Sequence, residues 1–191
     1  DEPLYGYYLA HTNADSYHPG AKEVINNMET DGEKVIQMML GDFYKPVVFF
    51  KQMTHHLVNL DRSFMKGMVH ILLTRDPQDM LPSFATDIQK PGMKDVGYLD
   101  QSRLYDYLAQ TGQPPVVLDS KQVLMNPRAT LEKLCSAIGI PFDEAMLNWK
   151  KGGRPEDGVW AKYWYQNVHE STRFMPYKPK RAPFPDELKP L

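Results

Sequence analysis

Three short, mainly apolar runs stand out in this chain: Pro46-Val47-Val48-Phe49-Phe50, Val69-His70-Ile71-Leu72-Leu73 and Pro115-Val116-Val117-Leu118-Asp119. Each has the length and branching of a strand buried on both faces. Elsewhere the apolar positions recur at helical spacing. Lys22 to Met28 and Glu33 to Leu40 read as short amphipathic helices, the second stopped by Gly41. Val96 to Ala109 is a longer helix, with Tyr98, Leu99, Leu104, Tyr105 and Leu108 on or near one face and Gly112 beyond its end. Asn126 and Pro127 open a helix with the stripe Leu131, Leu134, Cys135 and Ile138, stopped by Gly139. Phe142 to Trp149 and Gly158 to Val168 read as further short helices, and Glu2 to Leu9 as the end of a strand entering a tyrosine-rich turn. A helical start near Thr54 follows the first apolar run. Alternating strands and helices predict an α/β fold with a mostly parallel sheet, whose ligands bind at the carboxyl ends of the strands. Residues 1–175 read as this domain, and 176–191 as a proline-rich tail that wraps the surface or acts as a lid.

The segment after the second run carries the clearest chemistry. The strand ends at Arg75; Asp76 reads as an N-cap, Pro77 as the first helical residue, and Ser83 lies further inside the helix. A helix N-terminus at a sheet's carboxyl edge offers free N–H groups and partial positive charge, Arg75 a planar fork, and Ser83 a hydroxyl. Together these read as a phosphate site. The same residues also fit a plain surface cap, and Pro82 predicts a kink or stop near Leu81 that would leave Ser83 in a bend.

Bulk properties narrow the classes. A chain of 191 residues fits one domain, and a net charge of −2 argues against a general nucleic-acid or anionic-membrane surface, so any anion site is local. Cys135 is the single cysteine and lies in a helical stripe, which excludes a disulfide framework or thiolate metal quartet and favours a reducing, cytoplasmic compartment. The sequence holds no run of about 18 apolar residues. No signal peptide is visible, and the chain begins at Asp1 without a methionine.

With these segments placed, the chain resembles the sulfotransferase family, whose members move a sulfuryl group from 3′-phosphoadenosine 5′-phosphosulfate to an acceptor. Arg75-Asp76-Pro77 with Ser83 matches the family's strand-end Arg and the Ser eight positions on, which hold the donor's 3′-phosphate. Val116 to Phe142 is similar to the family's strand, loop, Asn-Pro and Leu-x-x-Leu-Cys helix ending in Gly-Ile-Pro-Phe. Lys150 to Trp164 is similar to its late Lys-Gly, Gly-x-Trp element near the 3′-phosphate, which implies cofactor contacts from Lys151, Gly152, Gly158 and Trp160, across a longer Gly152 to Gly158 gap than in cytosolic members. PEDGVWAKYWYQNVHEST looks closest to a bacterial and plant subgroup. The resemblance implies a three-layer α/β sandwich of P-loop NTPase-like architecture. It also implies that the natural chain begins roughly 25 to 35 residues earlier, with the family's first strand and phosphosulfate loop.

The implied reaction needs a base for the acceptor proton and a cation for developing charge. Two bases compete: Glu2, at the end of the presumed second strand, resembles the carboxylate base of bacterial and Golgi-type members, and His55 resembles the histidine of cytosolic members. Lys51 would stabilise the bridging oxygen, its plain alternative being a solvated strand-end lysine. No metal is implied, and adjacent His55 and His56 are not expected to form a metal pair. Trp160, Tyr163 and Trp164 stack a ring or form core. The resemblance thus implies an enzyme acting on the hydroxyl or amine of a small-molecule acceptor, with no nucleic acid or membrane partner. The alternatives are a catalytically silent nucleotide-binding or interaction domain, and a nucleotide kinase-like enzyme. The kinase would need a Gly-x-x-x-x-Gly-Lys-Ser/Thr loop, which this sequence lacks. Acceptor identity and oligomeric state are left open by the sequence.

Overall fold

The computed structural model describes residues 2–88, 90–179 and 183–191. Residues 180–182 of the proline-rich tail and Asp1 of the expected domain lie outside them. The chain divides into two compact units, one of Asp1–Met68 with Gly153–Asn167 and the other of Val69–Gly152 with Val168–Leu191.

The first unit is helical. α1 (Tyr5–Ala10) occupies the stretch read as a strand end and tyrosine turn. Leu4, Tyr5, Tyr7, Tyr8 and Leu9 are all buried, and a helix apolar on every side belongs inside a core, which an amphipathic pattern search does not reveal. α2 (Ala21–Asn27) and α3 (Gly32–Met39) match the predicted amphipathic helices. The Asp31 carboxylate caps α3 by accepting from the N–H groups of Glu33 and Lys34, and Val35, Ile36 and Met39 face inward. One core joins Tyr5, Tyr8, Leu9 and Val24 to Trp160, beside the helical turn Ala161–Trp164. Another joins Leu4, Tyr7, Val35 and Met39 to Phe50, Leu57 and Phe64. Residues 46–50 form no strand, and Phe49 is 70 % exposed. The apolar run has strand-forming residues, but strand propensity is realised only against a paired neighbour.

Gly20 fixes the entry to α2. Its φ is +70°, and a Cβ there would lie 2.0 Å from the Tyr163 ring. Tyr163 in turn donates its hydroxyl to Glu23 at 2.6 Å, while Lys162 pairs with the same carboxylate at 2.7 Å. Gly20→Ala meets both a left-handed backbone and a ring, so it should cost about 1–3 kcal/mol, read as a lowered urea midpoint. An unchanged midpoint would show that the ring moves aside freely.

The second unit carries the sheet. β1 (Ile71–Thr74) pairs in parallel with β2 (Val116–Asp119), in the register Ile71 to Val116 through Thr74 to Asp119. A parallel pair needs a crossover, supplied by α4 (Pro77–Asp87), α5 (Met93–Val96) and α6 (Tyr98–Gln110). α4 starts as predicted: Asp76 accepts from the Gln78 N–H at 2.9 Å and Pro77 takes the first position. Pro82 does not end it, so Ser83 is helical. A proline removes one ladder bond, and the buried Leu81, packed with Val96 and Leu188, anchors the turn across that gap. α7 (Ser120–Met125) and α8 (Pro127–Ile138) follow β2, with Gly139 at φ +74° closing α8. Phe142 to Trp149 contributes only a turn at Glu144–Met146. The described part of the tail packs Phe184 and Leu188 with α4 and α5. The protein is thus a mixed helix-and-sheet structure with a small parallel sheet. Among the described residues, no helix is long and apolar enough to cross a membrane.

Candidate active site

In the first unit the chain folds two side chains, Lys51 and His56, against the Glu2 carboxylate. The Glu2 backbone carbonyl accepts the Tyr5 N–H at the start of α1, and the residue is only 5 % exposed, unlike a loose terminal carboxylate. The Lys51 ammonium donates to Glu2 Oε1. His56 Nδ1 lies 3.8 Å from the other oxygen, Oε2. Lys51 also stands 5.6 Å from the Trp160 ring centre and 5.9 Å from that of Tyr165, where ring faces favour a cation. Its side chain is 41 % exposed, so the carboxylate is buried while its cation reaches solvent.

The turn Thr54–His56 sends the two histidines different ways, with ring planes at 90°. His55 is half-buried, edge-on to Tyr8 at 5.1 Å. His56 is fully buried and stacks on Tyr5 and on Tyr8. Burial, then the neighbouring His55, Lys51 and His18, hold the His56 imidazole well below its ordinary range, so it is neutral. Burial pushes the Tyr165 hydroxyl up to about 12, with the Glu2 charge adding to it. The Tyr5 hydroxyl is raised further by burial, against the hydrogen bond donated by Trp164 at 3.3 Å. The phenols near Glu2 therefore stay protonated. In the sequence His56 stands out only as the neighbour of His55, and Tyr5, Tyr8 and Tyr165 carry no separate signal. Their assembly depends on α1 being a buried helix, and nothing in residue spacing alone signals it.

In the second unit Arg75 is exposed directly beyond β1 and Ser83 is exposed on α4. The strand end is braced from α6: Tyr98 donates its hydroxyl to the Arg75 carbonyl at 2.7 Å and Gln101 donates to the Leu73 carbonyl at 2.9 Å. Tyr177 of the tail donates to Asp79 in the first turn of α4 at 2.9 Å. Lys151 pairs with Glu170 at 2.5 Å, and Gly152, at φ +107°, donates its N–H to the His169 carbonyl. Gly158 and Trp160 belong to the first unit, so the expected Lys-Gly, Gly-x-Trp element is shared between the two. Gly158 accepts the Ala161 N–H at 2.9 Å, and Trp160 is 1 % exposed in the core. No group of three or more His, Cys, Asp or Glu side chains suited to a metal occurs among the described residues.

The chain is a mixed helix-and-sheet protein with a strand-end arginine at a capped helix in one unit and a buried carboxylate paired with lysine in the other. The sulfotransferase domain matches residues 1–188, and the chain belongs to that family. It is 39 % identical over 185 residues to branched-chain-amino-acid aminotransferase-like protein 1 of Arabidopsis thaliana, and 37 % identical over 185 residues to protein 2 of the same name. Each match covers 96 % of this chain and 32 % of the plant protein, so the chain spans about a third of the length of these relatives. No solved structure matches significantly.

Proposed function

We propose that the protein transfers a sulfuryl group from 3′-phosphoadenosine 5′-phosphosulfate to a hydroxyl or amine of a small-molecule acceptor, in a cytoplasmic setting consistent with its single free cysteine. The acceptor oxygen or nitrogen attacks sulfur, the bond from sulfur to the bridging phosphate oxygen breaks, and 3′-phosphoadenosine 5′-phosphate leaves. Glu2 takes the acceptor proton; His55 is the alternative base. Lys51 is suited to the charge that develops on the bridging oxygen. Arg75 and Ser83 hold the 3′-phosphate, supplemented by Lys151, Gly152 and Gly158 as the resemblance implies, while Trp160 belongs to the core and is left out of the contact set. The full fold on this reading is a three-layer P-loop NTPase-like sandwich.

The observation that carries the reading is the strand-end arginine and helical serine of residues 75–83, inside a chain whose family match spans 1–188. The donor set fits a phosphate: an exposed planar fork and an exposed hydroxyl on one strand-helix unit. No metal is assigned a role. The test is calorimetric titration with 3′-phosphoadenosine 5′-phosphate beside adenosine 5′-phosphate. Binding that requires the 3′-phosphate is expected, and equal or absent binding of both would overturn the donor assignment. Binding with no sulfated product in a broad acceptor screen would favour a catalytically silent nucleotide-binding domain.

A further inference from the structure

We propose that His56 is a positioning residue for Glu2: its imidazole, stacked on the Tyr5 and Tyr8 rings, presents Nδ1–H to Oε2 while Lys51 engages Oε1. The proposal deepens the reading of Glu2 as base and rests on it for its catalytic meaning.

A carboxylate held at one oxygen by a lysine can still pivot, because an ammonium is a point charge on a flexible stem. A base must instead present a fixed lone pair to the acceptor proton. The second fixing point is in place. His56 Nδ1 is buried and has no hydrogen-bond partner, and the atom opposite it is Glu2 Oε2 at 3.8 Å. An unsatisfied buried nitrogen is costly, and a small rotation of the carboxylate toward the ring relieves it. Contacts of this kind are often long in an unliganded site and tighten when the reaction complex forms.

The ring has little freedom to turn away. Tyr5 lies 5.2 Å from it at an interplanar angle of 15°, and Tyr8 lies 4.8 Å away at 28°. The charged and titratable groups around it are Glu2, Tyr5 and Tyr8 at α1, His18 from the loop before α2, and Lys51 and His55 from its own segment. His55, Lys51 and His18 all oppose a positive charge on the ring, and burial opposes it more, so His56 acts as a neutral donor and not as a counter-ion. A neutral imidazole facing an ionised carboxylate takes the tautomer with the proton between them.

Ring nitrogen-15 NMR of the full chain tests the assignment without any acceptor or donor. Glu2→Gln is the probe variant, and His55→Gln assigns the signals. The His56 ring is expected to stay neutral from neutral to mildly acid pH, with a pyrrole-type Nδ1 and a pyridine-type Nε2. In Glu2→Gln that preference should be lost, Nδ1 moving toward the pyridine-type region. A wild-type His56 protonated at Nε2 alone overturns the proposal and needs no variant. So does a His56 signal indifferent to Glu2→Gln. Turnover of Glu2→Gln is a separate measurement: full activity beside a responsive His56 would remove Glu2 as base and leave the pairing standing.

Discussion

Glu2→Gln is expected to bind 3′-phosphoadenosine 5′-phosphate as the parent does and to transfer sulfuryl groups about 10²- to 10⁴-fold more slowly, the usual contribution of a positioned general base. Gln has the shape of Glu, so the buried slot beside Tyr5 stays filled. What is lost is a site for the acceptor proton. Lys51 loses its ionic partner but keeps its solvent contact and the faces of Trp160 and Tyr165, so the variant should fold. Single-turnover kinetics, once an acceptor is found, separate binding from chemistry. His55→Ala gives the contrast: full activity in Glu2→Gln with loss in His55→Ala would move the base to His55. Full activity in both would remove both.

Arg75→Ala should weaken 3′-phosphoadenosine 5′-phosphate by about 2–4 kcal/mol, roughly 30- to 700-fold, because a bidentate charge-assisted fork disappears from a phosphate that remains bound. Adenosine 5′-phosphate, lacking the 3′-phosphate, should show no such loss. The substitution is structurally mild. Arg75 is exposed, the Tyr98 hydroxyl bonds to its backbone carbonyl, which alanine retains, and the cap on α4 belongs to Asp76. Unchanged affinity in calorimetry would therefore count against the phosphate site and not against the fold.

Local rules made part of this structure readable. Asp76-Pro77, Asn126-Pro127 and Gly139 mark helix ends because their preferences are set within a turn of chain, and the spacing of Leu104 and Leu108 defines α6. β1 and β2 are legible as short apolar runs, and both form strands because each pairs with the other. The run at 46–50 carries the same residue types but does not make a strand, since a sheet neighbour is a long-range property. α1 escapes the pattern because a helix buried on all sides has no polar face to display its period. Pro82 does not stop α4, whose turn is anchored by the buried Leu81. At the candidate site, residue types and resemblance pointed to Glu2, Lys51, His55, Arg75 and Ser83. The place of His56 depends on two tyrosines one turn apart on α1, which only the folded chain brings to its ring.

The return of residues 153–167 to the first unit ties its completion to the timing of synthesis. A ribosome finishes α1, α2 and α3 well before Trp160 exists, so the core that this indole shares with Tyr5, Tyr8 and Leu9 stays incomplete while residues 69–152 are made. At ordinary elongation rates that interval is about 4 to 17 seconds. The nascent chain carries its tyrosine-rich helix without a finished core throughout, and a fragment ending at Met68 would leave that core permanently without its largest side chain.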